Sequence, residues 1–181
     1  ALAHSNLGSI LQDLGILEEA EQSLRKAIEL NPDLALAHSN FGIILKDFGK
    51  LQEAEVSTRK ALELNPDFAL AHSNLGSILQ DLGKLQEAEV STRKAIELNP
   101  DFANAHSNLG GILKDFGKLQ EAEISYRKAI ELNPDFALAH SNLGNVLRDL
   151  RKLKDAEFSL RKAINLNPDF ADAHLNLGGI L

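Results

Sequence analysis

The chain has no cysteine, no methionine and no tryptophan, and only one tyrosine. Without cysteine there is no disulfide framework and no thiolate-held metal, so the redox compartment stays open. No apolar run approaches the ~18 residues of a membrane span, and no membrane insertion is expected. The opening residues Ala1-Leu2-Ala3-His4-Ser5 lack a basic and then an apolar region, so no signal peptide is expected here and a cytoplasmic location is the default. Basic residues are in the minority, 19 against 26 acidic, for a net charge of −7. Nucleic acid asks for a basic stripe and an anionic membrane for a basic patch, so neither is an expected partner.

Catalytic signatures are missing as well. The serines do not sit in a G-x-S-x-G elbow, and there is no G-x-x-x-x-G-K-[ST] phosphate loop. Carboxylates recur periodically on helix faces expected to meet solvent, whereas a catalytic site is a unique, enclosed constellation. No enzymatic activity and no cofactor are expected of this chain.

What is present is repetition. The stretch from Ala69 to Phe102, ALAHSNLGSILQDLGKLQEAEVSTRKAIELNPDF, is a 34-residue phrase that also runs over 1–34, 35–68, 103–136 and 137–170, with a partial copy over 171–181. The second and third copies differ at five places. A fixed period of this length is the signature of stacked helical repeats, each touching only its neighbours. The chain opens on a repeat boundary and stops inside a repeat, as a segment of a longer protein would.

Positions are numbered 1 to 34 within a repeat. All five prolines fall at position 32, in Asn-Pro-Asp, where proline ends one helix and the following aspartate is placed to cap the next. Glycine at position 15 (Gly83) suits a left-handed residue after a helix. Each repeat therefore reads as helix A over about positions 1–14 and helix B over about 18–30. At ~100° per residue, Ala71, His72, Leu75, Gly76, Ile78, Leu79 and Leu82 share the packing side of helix A, and Leu70, Ser73, Asn74, Ser77, Gln80 and Asp81 the other side. On helix B, Leu85, Ala88, Thr92, Ala95, Ile96 and Leu98 pack, while Gln86, Glu87, Arg93, Lys94 and Glu97 point out.

The residues His72-x₂-Leu75-Gly76-x₂-Leu79, then Ala88-x₃-Thr92, then Pro100, resemble the tetratricopeptide repeat, W-x₂-L-G-x₂-Y, A-x₃-F, P. Its small and proline positions match throughout; its aromatic positions are replaced. The phrases His-Ser-Asn-Leu and Gly-Lys-Leu-Gln-Glu-Ala are similar to repeats of O-GlcNAc-transferase-type proteins and their bacterial relatives. The resemblance implies an all-α, right-handed superhelical solenoid of antiparallel helix pairs, with five units and one extra helix forming a single domain over 1–181. It implies helix A on the concave side, helix B on the convex side, and a protein or peptide as partner.

On the expected groove face, Asn6, Asn40, Asn74, Asn108, Asn142 and Asn176 recur at position 6. Asparagine offers a donor and an acceptor to the backbone of an extended peptide. The transferase resemblance implies that use, and bonding to a neighbouring helix is the alternative. Asp13, Asp47, Asp81, Asp115 and Asp149 recur at position 13, beside Gln12, Lys46, Gln80, Lys114 and Arg148. They either select basic or hydroxyl-bearing ligands or form a solvated face. The carboxylate clamp of the family needs early basic residues, and the matching positions here hold Leu36, Leu70, Ser39 and Ser73, so that specificity is rejected. The six histidines at position 4 are too far apart to share a metal and are expected to be hydrogen-bonded packing residues between helices A and B.

Position 22 departs from the polar outer side of helix B. It holds Val56, Val90, Ile124 and Phe158, a candidate convex contact unless long neighbours such as Arg59 and Arg93 cover it. The fifth repeat has Arg151 in place of the turn glycine and is locally basic at Arg148, Lys152 and Lys154. The ends lack polar capping helices, so head-to-tail self-assembly stands beside peptide binding as a function. A third reading is the substrate-selecting arm of a larger glycosyltransferase-like enzyme.

Overall fold

A computed structural model describes residues 1–180. Among these there are eleven α-helices and no strand. They fall into two compact units, residues 1–99 and 100–181.

The first unit holds three A/B pairs: α1 (Leu2–Asp13) with α2 (Leu17–Leu30), α3 (Ala35–Asp47) with α4 (Leu51–Leu64), and α5 (Ala69–Asp81) with α6 (Leu85–Leu98). The second holds α7 (Ala103–Asp115) with α8 (Leu119–Leu132), α9 (Ala137–Asp149) with α10 (Leu153–Leu166), and α11 (Ala171–Gly178). In each unit a helix packs most closely on its pair mate, and each A helix also touches the A helix of the neighbouring repeat. This is the helix-pair stacking that the period implied.

Helix A ends as the glycine signal indicated. Gly83 has φ of +73°, and the backbone N–H groups of Gly83 and Lys84 donate to the carbonyls of Gln80 and Leu79 at 2.9 and 2.8 Å. Those two bonds satisfy carbonyls that the helix end would leave bare. In the fifth repeat Arg151 adopts the same left-handed conformation, at φ +63°. The turn is retained although its residue carries a Cβ that disfavours it.

The start of helix A differs from expectation. The residue before the helix is Leu34, Phe68, Phe102, Phe136 or Phe170, and no side chain caps it. The aspartate of Asn-Pro-Asp does not cap. Instead its own N–H donates to the side-chain oxygen of the asparagine two residues back, as from Asp33 to Asn31 and from Asp67 to Asn65 at 3.1 and 3.2 Å. This Asx turn directs the chain from one repeat to the next.

The core of each pair is thin. Ala54, Ala61, Ala88 and Ala95 are fully buried, as are Ile44 and Ile78. Glycine at position 8 faces residue 24 across the pair. A Cβ on Gly110 would stand 2.9 Å from three atoms of the Tyr126 ring, and one on Gly144 would stand 2.6 Å from Cγ of Leu160. Tyr126 is accordingly sealed from water; burial, with Asp115 as a second cause, pushes its hydroxyl pKa upward.

A second correction concerns position 5. Ser5, Ser39, Ser73, Ser107 and Ser141 are all buried, although the helical wheel put them with the polar side. In the first unit α3 lies against α1 and α5 against α3, and their asparagines reach Ser5 and Ser39. The wheel sorts one helix against its pair mate and is blind to the next repeat.

An ion-pair clamp joins successive B helices. Glu55 of α4 accepts from Arg59, one turn on, at 2.9 Å and from Lys84 of the next repeat at 2.8 Å. In the second unit Glu123 accepts from Arg127 at 3.0 Å and Lys152 at 2.7 Å. The Lys84 bond, reinforced by Arg59, holds the Glu55 pKa below the ordinary 4.5 against the opposing effect of burial. For Glu123 burial is the largest single influence and pushes upward, but the bonds from Lys152 and Arg127 together outweigh it and the pKa is again lowered.

Three outcomes follow. Because both folded-state values lie below the unfolded one, the clamps contribute fully above about pH 4.5 and are lost as pH falls through the lowered values. A Glu55→Gln/Glu123→Gln chain should therefore show a shallower fall in melting temperature on acidification than the parent. Arg151→Gly should raise stability by about 1 kcal/mol in urea denaturation, by relieving the left-handed arginine. Gly110→Ala should lower it by about 1–3 kcal/mol through overpacking against Tyr126, although alanine is the better helix former.

Candidate binding faces

Helix A carries the first candidate face. In the first unit the amide nitrogen of Asn40 donates to Ser9 Oγ at 2.8 Å, and that of Asn74 to Ser39 Oγ at 3.0 Å. Each asparagine thus spends at least one of its two N–H donors on the preceding repeat. Among the described residues, the Oδ1 atoms of Asn40 and Asn74 accept no hydrogen bond from the protein. An amide nitrogen carries two N–H groups, so Asn74 keeps one donor besides its acceptor, whereas Asn40 directs its nitrogen at both Ser9 and Ser5, at 2.8 and 3.5 Å. Asn6 opens the series and Asn108 and Asn142 continue it in the second unit, where Asn176 accepts from Arg148 at 3.2 Å.

The aspartates at position 13 are engaged in the same manner. Gln12 donates to Asp47 at 2.8 Å, and Lys46 pairs with Asp81 at 3.1 Å. Position 12 of one repeat thus holds position 13 of the next. The two pairs differ in charge: a neutral amide leaves the Asp47 carboxylate uncompensated, whereas Lys46 offsets Asp81. Asp149 lies 3.4 Å from Arg148 in its own helix. Leu36 and Leu70 at position 2 are half-buried, and Leu138 in the second unit is exposed.

The histidines occupy the seam between repeats. The Nε2 atoms of His38 and His72 lie 2.7 and 2.9 Å from the carbonyl oxygens of Pro32 and Pro66, and His106, His140 and His174 do the same in the second unit. A carbonyl can only accept, so the imidazole donates from Nε2. The partner is the loop that precedes the helix, and not helix B as expected. The link to helix B runs through the backbone instead: Ser57 and Ser91 donate to the carbonyls of His38 and His72 at 2.9 Å each. Nδ1 of His72 is buried without a partner. Serine at position 23, which the sequence alone did not single out, is therefore a tie between helices; its place three residues after the packing alanine at position 20, on the same helix face, was the available signal.

Helix B carries the second candidate face. Val56 and Val90 are 70% and 71% exposed in the first unit, and Ile124 and Phe158 are 67% and 73% exposed in the second. Arginine stems do not cover them. Arg59 turns instead to Glu55 and to Glu87 at 2.9 Å each. In the first unit a hollow lies beside each valine. One, of about 530 Å³, is floored by Leu62, Leu75 and Leu79 with His72, and Val90 stands on its rim. The other, of about 520 Å³, is floored by Phe41 and Leu45 with His38, and Val56 stands on its rim. Arg25 lies over the Phe41 ring, 4.9 Å from its centre. Among the described residues no helix is long and apolar enough to cross a membrane, and no three potential ligands cluster as a metal site.

Comparison with known proteins agrees with this architecture. A family model described as the tetratricopeptide repeat matches residues 1–34, 69–102 and 137–170. Related tetratricopeptide models match 35–68 and 92–124, and a TPR repeat model matches 111–150. No curated protein matches the chain. Among solved structures, a thermophilic TPR protein of Thermus thermophilus is similar with a TM-score of 0.87 at 20% identity, over 99% of this chain and 97% of that one. YrrB, described as a TPR protein with an unusual peptide-binding site, has a TM-score of 0.65 at 27% identity, over 97% and 90%. MamA has a TM-score of 0.69 at 24% identity, over 91% and 96%. With its 34-residue period, its stacked helix pairs and a family model covering more than half its length, the chain belongs to the tetratricopeptide repeat family.

Proposed function

We propose that the chain is a protein-interaction scaffold that receives an extended peptide segment along the helix-A face. The observation that carries this is the half-used asparagine: the amide nitrogens of Asn40 and Asn74 are fixed on the preceding repeat, which presents their oxygens at a repeating interval. A rigidly held acceptor suits the N–H groups of an extended backbone and demands little of its sequence. It is also the role that the transferase-type resemblance implies for such a series. The peptide-binding site for which YrrB is described is consistent with this use of the fold.

The aspartates sharpen the expectation. Asp47 keeps its charge beside neutral Gln12, while Asp81 is offset by Lys46. A ligand's basic side chain is then drawn to Asp47 in preference to Asp81. Asp13, Asp115 and Asp149, with Lys114, belong to the same proposed face.

The test must separate loss of the acceptor from loss of the repeat contact. Asn40→Ala/Asn74→Ala removes both, whereas Ser9→Ala/Ser39→Ala removes the contacts at 2.8 and 3.0 Å and leaves the asparagines in place. On an array of unstructured peptides, the asparagine variant should bind at least about tenfold more weakly than the parent, as for a peptide N–H left unpaired. The serine variant should stay within a few-fold. Equal behaviour of the two variants would remove the asparagines from the binding surface. Asp47→Asn should weaken lysine-containing peptides more than Asp81→Asn does.

A further inference from the structure

The fifth repeat departs from the other four in charge. Residues 137–170 hold six basic and four acidic side chains, whereas acids outnumber bases in every other complete repeat. The change has a local cause. Position 26 is lysine in all five repeats, and in four of them it pairs with the glutamate three residues on: Lys26 with Glu29, Lys60 with Glu63, Lys94 with Glu97 and Lys128 with Glu131, at 2.7 to 3.1 Å. In α10 the residue three after Lys162 is Asn165, and an amide carries no charge to neutralise it. Position 18 is glutamate or glutamine elsewhere and Lys154 here. Among the described residues neither Lys154 nor Lys162 has an ion-pair or hydrogen-bond partner.

These residues share one face. At ~100° per residue, Lys154, Asp155, Phe158, Arg161, Lys162 and Asn165 fall within about a third of the circumference of α10. Phe158, 73% exposed, is the largest residue that position 22 holds in the chain. The two lysines lie one turn before it and one turn after it. Arg161 is held by Glu157 at 2.8 Å, and Asp155 is the one carboxylate of the arc. An exposed aromatic ring between two unneutralised ammonium groups fits the opposite arrangement, an apolar side chain among carboxylates. Two free lysines are too few to hold a chain of net charge −7 on an anionic membrane.

We propose that the outer face of α10 is a second binding site, which takes an acidic segment of a partner protein. An apolar side chain of that segment covers Phe158, and its carboxylates pair with Lys154 and Lys162. Arg151, three residues before Lys154 and also without a partner among the described residues, extends the cationic end. The site does not rest on the helix-A face and has the opposite preference: Asp47 draws cations, and α10 draws anions.

Fluorescence anisotropy tests this on the whole chain, with a labelled peptide of leucines spaced among glutamates and a counterpart with glutamine for every glutamate. The acidic peptide should bind saturably and more weakly as salt rises, and the neutral one should bind less well. The chain's own repeats supply the variants. Lys154→Gln/Asn165→Glu installs the residues of the second and third repeats and should weaken binding about three- to tenfold, as for two exposed ion pairs lost. Phe158→Gln installs the residue of the first repeat and should weaken it at least about tenfold, through loss of apolar contact. Circular dichroism of both variants should match the parent, because the substituted side chains are exposed. Asn40→Ala/Asn74→Ala should bind the acidic peptide as the parent does. No binding of that peptide at about 1 mM overturns the proposal. So do equal binding of the neutral peptide, α10 variants that bind like the parent, and a loss confined to the asparagine variant. Binding to phosphatidylserine vesicles that the peptide does not displace would make a membrane the occupant. Self-association in sedimentation equilibrium that Phe158→Gln abolishes would make it a second copy. Either result overturns the assignment to an acidic partner segment.

Discussion

Helices A and B of each repeat approach at a point where one of them has no side chain. The glycine at position 8 lies against residue 24, which is Leu24, Thr58, Tyr126 or Leu160 in different repeats, and even a methyl group would collide there. That contact sets the distance between the two helices. It brings the serine at position 23 within bonding range of the histidine carbonyl, and it lets alanines suffice as the core between B and A. The substitutions at position 24 show where the variation goes. The opposing partner is already as small as it can be, so each residue must fit a pocket of fixed depth.

Between repeats, polar bonds set the register. Asn40 and Asn74 reach back to serines, Gln12 and Lys46 reach forward to aspartates, and Glu55 and Glu123 are held from the following repeat by lysine. Apolar packing is indifferent to small slips along a smooth alanine surface. Directional bonds at both edges of the helix pair are not. The same bonds constrain function: a residue that fastens one repeat to another can offer a ligand only the atoms it has left. For Asn40 that is an oxygen, for Asn74 an oxygen and one N–H, and for Asp81 a carboxylate already shared with a lysine.

The two helix faces thus differ in kind. On the helix-A face the polar atoms are largely committed to the neighbouring repeat, and what remains is a sparse row of amide and carboxylate groups. On the helix-B face of the first unit the apolar residues are the uncommitted ones, because Arg59 follows Glu55 and Glu87 and leaves Val56 and Val90 bare. The two faces therefore offer different chemistry, polar amide and carboxylate groups on one and bare apolar side chains on the other.

Much of this was legible in the residues alone. The period, the proline at position 32 and the glycine at position 15 marked the helices to within a residue or so. The apolar series at position 22 was visible as a departure from its own helix's polar side. The angular sorting failed at position 5, where Ser39 and Ser141 lie buried against the next repeat. The capping expectation failed at the aspartate after proline for a local reason: its N–H turns back to the asparagine two residues earlier. Periodicity describes how side chains leave a single helix, and it is set by local backbone geometry that the sequence determines directly. Which atom then meets which partner depends on the neighbouring repeat, whose distance and angle arise only from packing. The sequence by itself determined helices, turns and faces. The tertiary structure alone decided which polar groups on those faces are spent and which are still free to bind.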